Sequence, residues 1–349
     1  RGWRGINIEP ARAYFDRCAA ERPRDLNLNL AVSDQPGRLR FLHVPGTGLS
    51  TLVDDVSARH ARDGWESVVD ASLPGWSHTG LRIAGLAPGA PLALPEAGEE
   101  RLVIPLAGAV EVAIVDGDDR RSVRLDGRAS VFDGPSDVLY VASSASIELF
   151  GDGRVAVASS PTTERRPTRR IAATETPVEL RGGGAASRQV HNFGTPDALD
   201  AARFIVCEVI TPAGNWSSYP PHKHDERVEG TESRLEEIYY FESAPVRAAP
   251  ADVDPDAAFG VFSTYSSPAG DIDIDAMVRT GDIALVPFGY HGPAVAAPGY
   301  DLYYLNVMAG PDPERAWRIT DDPHHAWVRD DWEAQGIDPR LPYRTEGTH

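Results

Sequence analysis

The reading of this chain turns on Tyr219-Pro-Pro-His222-Lys223-His224-Asp-Glu-Arg-Val-Glu229-Gly230-Thr-Glu-Ser-Arg-Leu235-Glu236-Glu237-Ile-Tyr-Tyr-Phe241. His222 and His224 are one residue apart, so on a strand both imidazoles leave from the same face. Two neutral imidazoles on one face are half of a metal site. The run Ile238-Tyr239-Tyr240-Phe241 is β-branched and aromatic, which predicts a second strand, and Glu236 and Glu237 open it. Further on, Gly281-Asp282-Ile283-Ala284-Leu285-Val286-Pro287-Phe288-Gly289-Tyr290-His291 reads as a turn, a short apolar strand, a second turn and a histidine. His291 offers a third nitrogen ligand.

The rest of the composition narrows the setting. With 349 residues the chain can bury a large core, and about two domains are expected. A formal charge of −18 argues against nucleic acid and against anionic membrane surfaces, since both attract a positive field. The two cysteines, Cys18 and Cys207, read as free thiols in a reducing cytoplasm. No run approaches the roughly 20 apolar residues of a membrane span, so a cytoplasmic protein is expected. Plentiful Pro and Gly between short Val, Ile and Leu runs give the punctuation of an all-β chain.

The order His-x-His, then Glu, then Gly-Asp, strand, Pro-x-Gly and His resembles the two motifs of the cupin superfamily. That resemblance implies that four residues converge on one divalent metal inside a small β-barrel. Here the gap from His224 to the glutamate is longer than the pattern, and one residue fewer separates Gly289 from His291. Glu229 satisfies the shorter spacing, while Glu237 lies directly before its strand as the cupin glutamate does; Glu237 is selected, with Glu236 on the opposite face. Longer wording is shared as well: Arg181-Gly-Gly-Gly-Ala-Ala-Ser-Arg188-Gln189-Val190, Gly214 to Asp225, Leu235 to Phe241 and Gly299 to Gly310. These stretches resemble the 5-deoxy-glucuronate isomerase family of inositol catabolism, from about Trp76 to Pro342.

Taken in order, residues 1–66 alternate strand, helix and strand, an α/β signature. Gly2 to Pro10 and Gly46 to Leu52 resemble the middle of FkbM-type methyltransferases, which would put Glu9 on the ribose of S-adenosylmethionine. The glycine-rich turn such a cofactor needs is missing, so this reads as a partial domain. Residues 67–165 show barrel-like strand spacing, including Glu100 to Pro105 and Val110 to Val115 around a glycine turn at Gly108. Where a metal-bearing copy would carry His-x-His this half has Leu92-Ala93-Leu94, so it is expected to be a metal-free barrel. Residues 166–349 then form the metal-binding barrel and a tail that wraps the barrels or a neighbouring subunit. The fold class expected is all-β, a bicupin preceded by a partial α/β segment.

His222, His224, Glu237 and His291 are thus the candidate ligands, one divalent ion per chain. Three imidazoles and a carboxylate suit Zn, Mn or Fe better than the all-oxygen preference of Ca or Mg. The resemblance implies an aldose–ketose isomerisation of a sugar acid. Such a reaction needs a proton lifted beside a carbonyl and an electrophile for the resulting enediolate. Arg188 suits a bidentate contact to the substrate carboxylate. Lys223 is a second candidate, although strand alternation turns it from the metal. Glu236 and Tyr304 are candidates for the proton shuttle; strict alternation would remove Glu236. The same ligands could serve an Fe(II) dioxygenase, and a non-catalytic sugar-binding bicupin is a third reading. The partner expected is a small sugar acid, and a homo-oligomer stays open.

Overall fold

The computed structural model describes residues 63–344 and, before them, chiefly the backbone of four short strands. Residues 1–60 and 61–349 form separate compact units. In the first, Ile6–Ile8 pairs in parallel with Leu26–Leu28, and Arg40–His43 pairs antiparallel with Ser50–Val53. Glu9 lies outside the described residues.

The second unit holds two β-barrels. The first is built around Glu99–Asp116, a single strand of 18 residues where the sequence predicts two strands and a turn. Gly108 is the reason for the difference. It sits at φ 77°, and the register slips between Gly108 and Val110, so the glycine makes a bulge that bends one strand rather than reversing the chain. Before the bulge the strand pairs with Val138–Val141 and Gly153–Pro161; after it, with Ser146–Gly151 and Asp119–Arg128. The interior of this barrel is filled by aliphatic side chains such as Val103, Val110, Val112, Ile114, Leu149 and Val157, which offer no ligand atom. Leu92–Leu94 is a strand on its wall. Arg169–Ile171 still pairs with Val138–Val141, so the chain leaves the first barrel after Ile171 and not at residue 165.

The second barrel consists of two six-stranded sheets. One runs Val178–Arg181, Arg188–Gly194, Ile205–Thr211, Tyr300–Ala309, Glu236–Pro245, Ile283–Val286. The other runs Gly270–Val278, Gly260–Ser267, Tyr290–Ala296, His222–Lys223, Thr320–Asp321, with Trp216–Ser217 also paired to Tyr290–Ala296. The strands Glu236–Pro245 and Tyr300–Ala309 are covered on both faces, which is why they read as nearly unbroken apolar runs. Their alternation divides the side chains. Tyr239, Phe241, Leu302, Tyr304 and Met308 enter the interior of the second barrel, while Ile238, Tyr240, Tyr303, Leu305 and Val307 join a core shared with Leu81, Ile104 and Tyr140 of the first. At about 1.5–3 kcal/mol per fully buried large apolar side chain, this shared core binds the barrels into one body.

Three polar clusters sit in the same interface. The Glu100 carboxylate accepts hydrogen bonds from the backbone amides of Ala202, Arg203 and Phe204 (2.6, 2.6 and 2.8 Å) and from the Tyr140 hydroxyl (2.7 Å). In the reverse direction Glu236 accepts from the amides of Ser77, His78 and Thr79 (3.3, 2.7 and 2.7 Å). Arg128 grips Glu208 with two bonds of 2.6 and 2.7 Å, and Tyr303 and His191 donate to the same carboxylate.

Candidate metal centre and substrate cavity

The short strand His222–Lys223, the start of Glu236–Pro245 and the start of Tyr290–Ala296 bring the predicted ligands to one end of the second barrel. His224 Nε2 lies 3.0 Å and His291 Nε2 3.1 Å from the same Glu237 oxygen, all three residues being buried. His222 stands beside them, its ring centre 4.5 Å from that of His291. Each imidazole is oriented by its other nitrogen. Nδ1 of His222, His224 and His291 lies 3.2, 3.0 and 3.1 Å from the carbonyl oxygens of Pro220, Leu235 and Gly289. A proton on Nδ1 satisfies each carbonyl and leaves Nε2 as a lone pair, the tautomer a metal ligand requires.

This donor set fits a divalent metal ion. His291 Nε2 is buried and, although 3.1 Å from the Glu237 oxygen, makes no hydrogen bond among the described residues: a lone pair facing a carboxylate oxygen is an expensive state unless a cation lies between them. The separations also suit it: two ligand atoms at right angles, each roughly 2.1 Å from a metal, stand about 3 Å apart. Burial pushes the His222 imidazole well below its ordinary range, and the neighbouring His291 and His224 push it the same way. Burial would raise Glu237, but the neighbouring imidazoles of His224 and His291 outweigh it and hold the group below its ordinary range, as a carboxylate. Glu229 lies in the exposed loop.

Lys223 does not enter the site. Its ammonium is surrounded by Asp225, Glu226 and Glu232, each at 2.8 Å. The lysine acts at a remove, because the other Asp225 oxygen accepts the Gly289 amide at 2.8 Å and braces the shortened turn that aims His291. Glu236 also drops out, its carboxylate being spent on the amides of the first barrel. Arg188 and Tyr304, in contrast, line a cavity of about 300 Å³ that also contains His222 and Glu237. Burial pushes the Tyr304 hydroxyl up to about 12 and the Arg188 guanidinium down to about 10. Arg188 donates to the Ala186 carbonyl at 2.9 Å and makes no ion pair among the described residues. Its neighbours in the cavity wall are both paired, Arg181 with Glu179 (2.9 and 2.8 Å) and Arg329 with Asp321 through two bonds, one of 2.7 Å.

Sequence reasoning missed Asn306, Trp317, Asp321 and Arg329, all of which line this cavity. Asn306 lies two residues beyond Tyr304 on the same strand, so its inward direction was available from alternation. The other three sit in the tail, where no periodicity aims a side chain. The tail returns as the strand Thr320–Asp321, pairing Asp321 with His222 and Thr320 with Lys223. His324 and His325 are exposed just beyond it. No helix among the described residues is long and apolar enough to cross a membrane.

Known proteins resemble this chain in sequence and in fold. A 5-deoxy-glucuronate isomerase of Geobacillus thermodenitrificans is 38% identical over 257 residues, 73% of this chain and 87% of that protein. One from Halalkalibacterium halodurans is 35% identical over 281 residues, 80% of this chain and 93% of its own length. Among solved structures, an IolB-like protein of Salmonella typhimurium LT2 superposes with a TM-score of 0.68 at 35% identity, covering 77% of this chain and 96% of that one. Oxalate decarboxylase of Lactobacillus farciminis, at 11% identity and a TM-score of 0.50 over 73% of this chain and 82% of that one, shares the bicupin fold alone. Residues 52–328, a stretch that takes in both barrels and the candidate metal ligands, match one family, and the chain belongs to it: KduI/IolB.

Proposed function

We propose that this isomerase takes 5-deoxy-glucuronate to 5-dehydro-2-deoxy-gluconate in inositol catabolism, with one divalent ion per chain held by His222, His224, Glu237 and His291. The observation that carries the reading is Arg188, a buried cation with no carboxylate of its own among the described residues, in the cavity that reaches His222 and Glu237. An acidic protein that keeps an unpaired arginine buried is built to receive an anion there. When bound, the ion supplies Lewis-acid polarisation of the substrate's oxygens.

The chain's own residues do the rest. Arg188 binds the substrate carboxylate and sets which carbon faces the ligands. Tyr304 keeps its proton, because burial raises it to about 12, and its hydroxyl serves as the donor to a substrate oxygen. Apart from Glu237, Asp321 is the carboxylate in the cavity wall, and the Arg329 fork orients it. We assign it the proton that leaves carbon. Val190, Val209 and Tyr239 close the walls against water. The buried free thiol of Cys207 accords with a cytoplasmic setting.

The test is turnover by metal-quantified protein in D₂O under nitrogen, followed by NMR. Product should form without oxygen, with deuterium entering the carbon that gains hydrogen. Strict dependence on oxygen would restore the dioxygenase reading, and binding without turnover the sugar-binding one.

A further inference from the structure

We infer that Trp332 is a positioning residue for Arg188, so that the segment following the last barrel strand builds the anion-binding end of the cavity. This rests on the reading of Arg188 as the carboxylate anchor. An arginine side chain is long and has many rotamers, and a carboxylate receptor has to hold its planar fork in one orientation. Arg181 and Arg329 are held by their own carboxylates. Among the described residues Arg188 has only the Ala186 carbonyl and the face of an indole: its Cζ lies 5.0 Å from the centre of the Trp332 ring. Arg329 lies over the same ring at 4.9 Å. One indole therefore meets two guanidiniums of the cavity wall: Arg329 is already held by its two bonds to Asp321, whereas Arg188 relies on the aromatic face, which leaves its remaining N–H groups free for a ligand.

The indole is in turn fixed by its surroundings. Its N–H is buried without an acceptor among the described residues, so the ring is placed by its face and its backbone, not by that donor. Trp332 begins the one-turn helix Trp332–Gln335, and the glycines just before Arg188 lie directly against it. A Cβ on Gly183 would stand 2.3 Å from the Trp332 carbonyl oxygen, the Gly184 amide donates to the Gly336 carbonyl at 2.7 Å, and the Asp338 amide donates to the Ser187 hydroxyl at 3.0 Å. The loop that carries Arg188 and the turn that carries Trp332 thus form one unit. Trp332 lies beyond residue 328, where the family match ends.

The experiment compares KM, kcat and metal content for the holoenzyme and its variants. It adds the inhibition constant of the neutral sugar that carries a hydroxymethyl group in place of the carboxylate. Trp332→Leu should raise KM for the acid about 3- to 30-fold, the range of a partly desolvated cation–π contact, with kcat and metal content held within about twofold. The neutral sugar's constant should stay put, and Trp332→Phe should recover most of the loss. Gly183→Ala, which displaces the turn without touching either ring, should give the same selective rise; it stands in if Trp332→Leu does not fold. An unchanged KM, or equal weakening for the acid and the neutral sugar, would overturn the inference. If Arg188→Gln itself leaves the acid's KM unchanged, it is the anchor reading that fails.

Discussion

His224→Ala removes a nitrogen from the ligand set and leaves the buried Glu237 carboxylate with half of its compensation. Its metal affinity should fall by more than the roughly 10–100-fold that a lost outer partner costs, and metal analysis of the purified variant checks this. Glu229→Gln, in an exposed loop, should bind metal like the parent. Asp321→Asn should keep its metal yet lose about 10²–10⁴-fold in turnover and in exchange of the substrate's carbon-bound proton with D₂O. Tyr304→Phe should slow turnover while that exchange persists. Full exchange by Asp321→Asn would remove it from the proton path. At this scale the sequence was informative wherever a period aims the side chain. His-x-His shares a face, and Glu237 and Glu236 part to opposite faces; the same alternation already counted against Lys223. Asp321 and Arg329 were illegible because an irregular tail carries them back to His222 from far along the chain.

Strands carry a second kind of information. Most are legible from β-branched runs between turn residues, but at Gly108 the sequence suggests a turn between two strands where the structure has a bulge within one. The two differ in the path of the residues after the glycine, since a reversal brings them back along their own strand whereas the bulge hands them to another sheet. Sequence alone holds no sign of which partner waits. The structure makes the position testable. At φ 77° a side chain is strained, and a Cβ would lie 2.5 Å from the Asp152 carbonyl oxygen. Gly108→Val should cost more than about 1–3 kcal/mol of stability, read as a lowered denaturation midpoint, while metal content at low temperature stays normal because the proposed ligands lie in the other barrel.

Across the whole molecule, charge buried between the barrels sets the response to acid. Burial would raise Glu208, yet Arg128 and His191 hold it down to about 2, against an ordinary 4.5. A carboxylate depressed on folding stabilises the protein above its unfolded value, and that stability drains as pH falls from about 4.5 towards 2. Glu208→Gln should already lose roughly 3–5 kcal/mol at neutral pH, because Arg128 is left buried and unpaired, and its further decline across that acid window should be shallower. Denaturant titrations at several pH values measure both. The strand Arg169–Ile171 ties the two halves together in another way. It lies beyond the exposed stretch 162–167 in the chain but completes the sheet of the first barrel. A protease nick in that stretch would yield two fragments with one strand lodged in the other's sheet, interlocked as exchanged arms are. Neither should fold when expressed alone, while mixing them during refolding should restore the assembly by complementation. The first barrel would then be the template on which the half that carries the candidate metal centre takes shape.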